Sequence, residues 1–385
     1  MLGNTSRTLG QQLALSGGRP SGFDYLRVIL ATAVLASHTV NVGMGREATA
    51  ALWTSPGRVI LAAILPMFFA LSGFLVAGSL ERCPSLVSFL GLRALRIVPA
   101  LAVETLLSAI ILGAIFTTLP LKDYYINKLF FQYTLNMVGW VHYYLPGVFA
   151  NNPWGQHVNQ QLWTLPFELE AYIALAVLVV LGAIARIRVL FVGLLLLIVF
   201  CAMFGVSSDI KMPVWGYALI VAFLFGVCFY RLRDFIILSG PIAVAAFLAG
   251  SLFLFMNGAY DIMAMPFLAY FTVYLGLLNP PRSKIVTSGD YSYGIFLYGF
   301  PIQQSVAAVL GHHSWWLNLV ISLPITVVVA VLSWHLIEKN ALKLRKYLFT
   351  FERWCLAKLS PLGGVGSHLL GHGEDNRASP ARERA

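Results

Sequence analysis

Along most of the chain polar residues do not alternate with apolar ones; they punctuate apolar stretches of about twenty residues. A helix needs about that length to cross a bilayer core of roughly 30 Å. Such stretches lie near 23–42, 59–80, 97–119, 161–184, 188–207, 213–231, 235–256, 260–279, 290–311 and 315–338. Lipid supplies no hydrogen-bond partners, so the backbone must satisfy itself, and continuous apolar runs suit helices rather than the alternating strands of a closed barrel. The pattern predicts an all-α, polytopic membrane bundle of about ten transmembrane helices. Before it stands a polar, Gly/Ser-rich segment, 1–22, with no apolar core of a cleavable signal peptide. The transmembrane domain is expected over 23–348, with one large outer segment near 120–160. The remainder, 349–385, is expected to be a disordered tail.

Composition strengthens this picture. Apolar residues make up 58% of the 385 and charged residues 11%, against about 25% charged in soluble domains. So few charges could not cover a water-facing surface, which excludes a cytosolic enzyme, a disordered chain and a disulfide-knit secreted module. Cys83, Cys201, Cys228 and Cys355 show no metal-ligand spacing and read as small core hydrophobes. The net charge of +10 would suit nucleic acid in a soluble protein; here it fits basic residues holding cytoplasmic loops. With the N-terminus inside, Arg82, Arg93, Arg96, Arg186, Arg188, Arg231, Arg233, Arg282 and Lys343 fall on the cytoplasmic side. The outer side holds only Arg46, Arg58, Lys122, Lys128 and Lys211. Both termini are therefore expected in the cytoplasm.

The few charges left inside the spans carry the chemistry, because each is costly in lipid. Arg27 and His38 share one face of the first helix, about 16 Å apart along its axis. His38 reads either as a packing residue or as a titratable base. Glu168 shares a face with Tyr172 on the fourth helix, while Glu170 points elsewhere. At a depth similar to that of His38, Glu168 could orient the imidazole and stabilise its cation, or form a structural ion pair with an arginine. Arg93 and Arg96 are either a two-pronged phosphate clamp or membrane anchors. Glu104 and Glu170 are read as structural. Tyr124, Tyr125, Trp140, Tyr143, Tyr144 and Trp154 in the outer segment form either an interfacial belt or a sugar-stacking lip.

Six segments in order resemble acyltransferase family 3, the bacterial integral-membrane O-acyltransferases. They are FDYLRVILATAVLASH (23–38), LPMFFALSGFLVAG (65–78), FLGLRALRIVPA (89–100), LWTLPFELEAY (162–172), SGDYSYGIFLYGFPI (288–302) and LSWHLIEKNALKLRK (332–346). The resemblance spans about 20–350. It implies ten core helices and transfer of an acyl group, usually acetyl, from cytoplasmic acyl-CoA to a hydroxyl, most often of an exopolysaccharide or lipopolysaccharide sugar. It also implies that His38 is the essential histidine, Arg27 the first-helix arginine, and Arg93 and Arg96 the arginine pair. One departure stands out: where the family usually has Leu-Trp-His-Trp-Pro, this chain has Leu297, Tyr298, Gly299, Phe300 and Pro301.

The expected reaction is transfer in a bacterial inner membrane, with no metal; both direct transfer, which is favoured, and a transient acyl-enzyme fit. Arg93 and Arg96 hold coenzyme A phosphates, Arg27 guides the donor inward, His38 deprotonates the acceptor and Glu168 orients His38. The rival reading is a proton-coupled exporter of sugar or acyl compounds, with Arg27, His38 and Glu168 as the relay. The absence of an internal repeat weighs against it.

Overall fold

The computed structural model describes residues 7–83, 85–205 and 215–350. Among them no β-strand forms beyond isolated bridges, and every expected span meets a long helix. We label these α1 (Ser21–Thr54), α2 (Arg58–Arg82), α3 (Leu86–Phe116), α4 (Gln160–Val180), α5 (Ala183–Met203), α6 (Gly216–Arg231), α7 (Gly240–Met256), α8 (Gly258–Leu277), α9 (Ser292–Leu310) and α10 (Trp315–Thr350). Among the described residues seven of them, α1–α5, α8 and α10, are long and apolar enough to cross a bilayer; α6 and α7 are shorter apolar helices. The chain is an all-α, multi-pass membrane bundle. The tail expected at 349–385 lies outside the described residues from 351 onward, as do Lys211 and Cys355.

Three helices depart from the expected boundaries for identifiable reasons. Helix α3 begins at Leu86, well before 97, because the Ser85 side chain caps it by accepting from the Ser88 N–H at 3.1 Å. Helix α10 continues to Thr350. Helix α1 runs past 42 to Thr54 but breaks at Gly45, whose φ of 81° suits a residue without Cβ. A side chain there would also press on the Pro153 carbonyl. The break swings Arg46, Thr49 and Trp53 over one end of the bundle, and the Thr49 hydroxyl donates to Asn41 Oδ1 across it at 3.1 Å.

The tightest crossing joins α2 to α6. A Cβ on Gly73 would lie 2.0 Å from the Phe223 carbonyl oxygen, and one on Gly226 would lie 2.1 Å from that of Ala70. Helices gain little from hydrophobic exclusion in lipid, so small residues that let backbones touch are a main source of association. Two π-type turns interrupt other helices, at Ser108–Leu112 in α3 and Trp334–Glu338 in α10. The first frees carbonyls that side chains then take up: the Tyr124 hydroxyl donates to the Ala109 oxygen at 2.6 Å and the Tyr125 hydroxyl to that of Ile110 at 3.0 Å. Both tyrosines therefore act as braces for α3.

Residues 117–160 fold back on that end of the bundle around buried Tyr133, Leu145, Val148, Phe149 and Val158. Arg58, expected in an outer loop, is instead buried in an ion pair with Asp261 at 2.5 Å. At the other end, a short helix at Leu9–Leu15, with a capping box between Thr8 and Gln11, docks near Arg233, Ile236 and Leu277.

Candidate active site

The larger number of embedded charges gathers at the end that holds the N-terminal helix. Asp290, just ahead of α9, accepts from Arg27 Nη1 at 2.7 Å and Arg96 Nη2 at 2.6 Å through the same Oδ2. Its Oδ1 accepts from the Ser292 hydroxyl at 2.6 Å. Burial alone would favour the neutral acid, but the two guanidiniums and Ser292 hold this carboxyl well below the usual carboxylate range. Arg96 also donates to Glu338 Oε2 at 2.9 Å, and lies over the rings of Tyr293 and Trp334. The π-type turn in α10 ends at Glu338, which is buried and reaches Arg96 from the opposite side. Arg93 differs: its Nη2 donates to the Ser79 hydroxyl at 3.1 Å, and its buried Nε has no hydrogen-bond partner. Among the described residues no carboxylate pairs with it.

Arg27, Arg93 and Arg96 line a cavity of about 80 Å³ together with Glu168, Tyr172 and Tyr293. The three arginines thus line one cavity. A symmetrical two-pronged clamp does not form, because two carboxylates occupy Arg96 while Arg93 keeps unused donor capacity.

At the loop end lies a second cavity, of about 720 Å³. It is lined by His38, Asn41, Arg46, Tyr143, Tyr144, Trp154, His157, Gln161 and Trp163 among others. The His38 ring meets Phe300 edge-on, centroids 5.2 Å apart, and its Nδ1 is buried without a hydrogen-bond partner. The Tyr144 hydroxyl lies 3.0 Å from His157 Nε2, and Trp154 Nε1 donates to Gln160 Oε1. Burial, with the Arg46 guanidinium adding to it, pushes His157 below the ordinary imidazole value. Of the six outer aromatics, Tyr143, Tyr144 and Trp154 face this cavity, Tyr124 and Tyr125 brace α3, and Trp140 is exposed as an interfacial residue would be.

Val34, Leu65, Thr164 and Phe296 line both cavities and form the neck between them. On α1, Val34 lies two turns from Arg27 and one turn from His38, so the face carrying the two expected residues runs through the neck. The expected pairing of Glu168 with His38 is not present. Glu168 lines the smaller cavity, where its Oε1 accepts from the Tyr172 hydroxyl at 2.5 Å. The local partner is Tyr172, four residues on along the same helix, which holds the carboxylate on the side of the smaller cavity. Glu170 is exposed, as its position on the helix required.

Glu104, read as structural, is fully buried and anchors a polar network at the wall of the larger cavity. Its Oε1 accepts from the Ser108 hydroxyl at 2.6 Å and from Asn159 Nδ2 at 2.7 Å. Asn159 Nδ2 also donates to the Tyr133 hydroxyl at 2.5 Å, and its Oδ1 accepts from Gln161 Nε2 at 3.2 Å. Sequence reasoning missed Asp290, His157 and Gln161. Only Asp290 carried a signal, as an acid beside the start of a span facing basic ends.

The helices thus enclose two cavities, one lined by three arginines and the other by His38, and comparison with known proteins gives the class of the chain. The model of an acyltransferase domain matches residues 21–335, and the chain belongs to that family. It is 26% identical over 331 residues to a protein named O-acetyl transferase from Shigella phage Sf6, covering 83% of this chain and 95% of that protein. It is 30% identical over 365 residues to nodulation protein 10 from Rhizobium leguminosarum bv. viciae, covering 86% and 96%. No solved structure matches the chain. The protein is a membrane O-acyltransferase.

Proposed function

We propose that the protein moves an acyl group, expected to be acetyl, from cytoplasmic acyl-CoA to a hydroxyl of a carbohydrate such as exopolysaccharide or lipopolysaccharide. The supporting observation is the pair of cavities meeting at Val34, Leu65, Thr164 and Phe296, one lined by three arginines and the other by His38 and aromatic rings. Arginines suit the phosphates of coenzyme A, and flat aromatic faces beside polar side chains suit a sugar. The excess of Lys and Arg at the arginine end favours a cytoplasmic position for it and for both termini, in a bacterial inner membrane.

In this reading Arg93 is the principal phosphate contact, since it alone of the three lacks a carboxylate partner. Arg27 and Arg96, held by Asp290, keep a positive field at the mouth. The thioester enters the neck, and the acceptor hydroxyl approaches from the loop side. His38 takes the hydroxyl proton as the oxygen attacks the thioester carbonyl; the C–S bond breaks and the imidazolium returns the proton to the departing thiolate. Proton count is unchanged overall. Glu168 takes no part in orienting His38; with Tyr172 it shapes the donor side of the neck.

The test is transfer from radiolabelled acetyl-CoA by purified protein and by His38→Ala. Loss of transfer with acetyl-CoA binding retained supports the assignment, and turnover near that of the unaltered protein would overturn it. Uptake of sugar into vesicles without acylation would favour the exporter instead.

A further inference from the structure

One amide at the wall of the larger cavity has its orientation fixed from two directions. Pro301 has no N–H, so the Leu297 carbonyl one turn earlier lacks its helical donor. Gln161 Nε2 takes that place, donating to the Leu297 oxygen at 2.8 Å. A carbonyl only accepts, so this contact requires the nitrogen of Gln161 to face α9. From the other side, Glu104 accepts from Asn159 Nδ2, which turns Asn159 Oδ1 toward Gln161 Nε2. Both amide protons of Gln161 are thus committed. Its remaining polar atom, Oε1, is buried and has no hydrogen-bond partner. Gln161 is 2% exposed and lines the same cavity as His38, whose Nδ1 is likewise unpartnered. Buried polar atoms without partners are rare in folded proteins, and an amide oxygen and an imidazole nitrogen left over in one cavity suit a ligand that carries hydroxyls, which both donate and accept.

We infer that Gln161 Oε1 accepts a hydrogen bond from an acceptor hydroxyl neighbouring the one that is acylated, and that Glu104, acting through Asn159, is the positioning residue that holds Gln161 in this sense. The inference rests on the carbohydrate reading above and adds what the sugar must carry: a second hydroxyl beside the nucleophile. His38 receives the proton of one hydroxyl and Gln161 the hydrogen bond of its neighbour, so the pair selects a diol over a lone alcohol. A site built to receive a hydroxyl rejects an analogue lacking it, because its own polar group is then left unpaired.

The experiment uses the full chain in lipid nanodiscs with radiolabelled acetyl-CoA. The acceptor is cell-envelope glycan extracted from a strain lacking the gene. Gln161→Met keeps the side-chain length and should raise the acceptor KM about tenfold, the loss of roughly one hydrogen bond, with the acetyl-CoA KM unchanged. Glu104→Leu should move the acceptor KM in the same direction. Glu104→Gln still offers Asn159 an accepting oxygen and should restore most of the loss, which a merely volume-filling role would not predict. The double variant Gln161→Met/Glu104→Leu should be no worse than the weaker single variant, since both remove one contact. An unchanged acceptor KM in Gln161→Met, or equal shifts in donor and acceptor KM, would overturn the inference while leaving the carbohydrate reading in place. No transfer to the glycan by the unaltered protein would overturn both.

Discussion

The two cavities differ most in how completely their polar groups are satisfied. At the arginine end Asp290 bridges Arg27 and Arg96, Glu338 takes the other side of Arg96, and Glu168 takes Tyr172. At the loop end His38 Nδ1, His157 Nδ1 and Gln161 Oε1 are all buried and unpartnered. The first arrangement is a lattice that ties α1, α3, α10 and the segment just ahead of α9 together and leaves Arg93 outside its ion pairs. The second keeps its hydrogen-bonding capacity unspent, which suits recognition of a polar ligand. Substitutions in the first should therefore damage folding or donor affinity, and substitutions in the second should damage catalysis or acceptor affinity.

His38→Ala should break the comparison most sharply. Loss of the general base proposed above should cost about 10²–10⁴-fold in turnover, while thermal stability measured in detergent stays close to that of the unaltered protein. A large stability loss with residual turnover would mean the loop end is a lattice too. Arg96→Met should do the reverse. Removing one member of a buried ion-pair cluster costs about 3–5 kcal/mol, so a fall in Tm should precede any change in KM. Third in size, Arg93→Ala should raise the KM for acetyl-CoA about tenfold, as expected for one charge-assisted hydrogen bond, with little change in Tm. If Arg93→Ala and Arg96→Met behave alike, the distinction between paired and unpaired arginines fails.

The smallest expected effect concerns His157. Its folded pKa is lowered, so the unfolded chain binds the proton more readily. Stability from this group is full above the unfolded value of about 6.5 and declines as pH falls toward the folded one. Melting curves between pH 7.5 and about 5 should show a modest decline that His157→Phe flattens. An unchanged slope would remove His157 from the account.

Much of the fold was legible in sequence because lipid imposes a strict length and polarity rule on each span. Among the described residues each of the ten expected stretches meets a helix, and the errors lie in the boundaries, such as the start of α3 at the Ser85 cap and the run of α1 through Gly45 to Thr54. The site was legible in part. Arg27 and His38 could be placed on one face because helical geometry fixes spacing within an element, and the structure runs that face through the neck. The pairing of Glu168 with His38 was an inference between elements, and there depth alone was no guide. Gln161 gave no signal, since an amide at a span's edge looks like any interfacial residue until Pro301 and Glu104 are seen to orient it.

Sequence by itself determined that this chain lives in a membrane, how its helices divide and which few charges it buries. Those properties follow from the cost of moving polar groups into hydrocarbon, a cost each residue carries wherever its neighbours lie. Only the tertiary structure decided which charges neutralise one another and which are left to act. Asp290 and Glu338 reach Arg96 from segments remote in sequence, whereas Arg93, one turn away, donates to a serine hydroxyl and, among the described residues, pairs with no carboxylate. Charge pairing depends on distances of a few ångströms between separate helices, and such distances exist only once the bundle has closed.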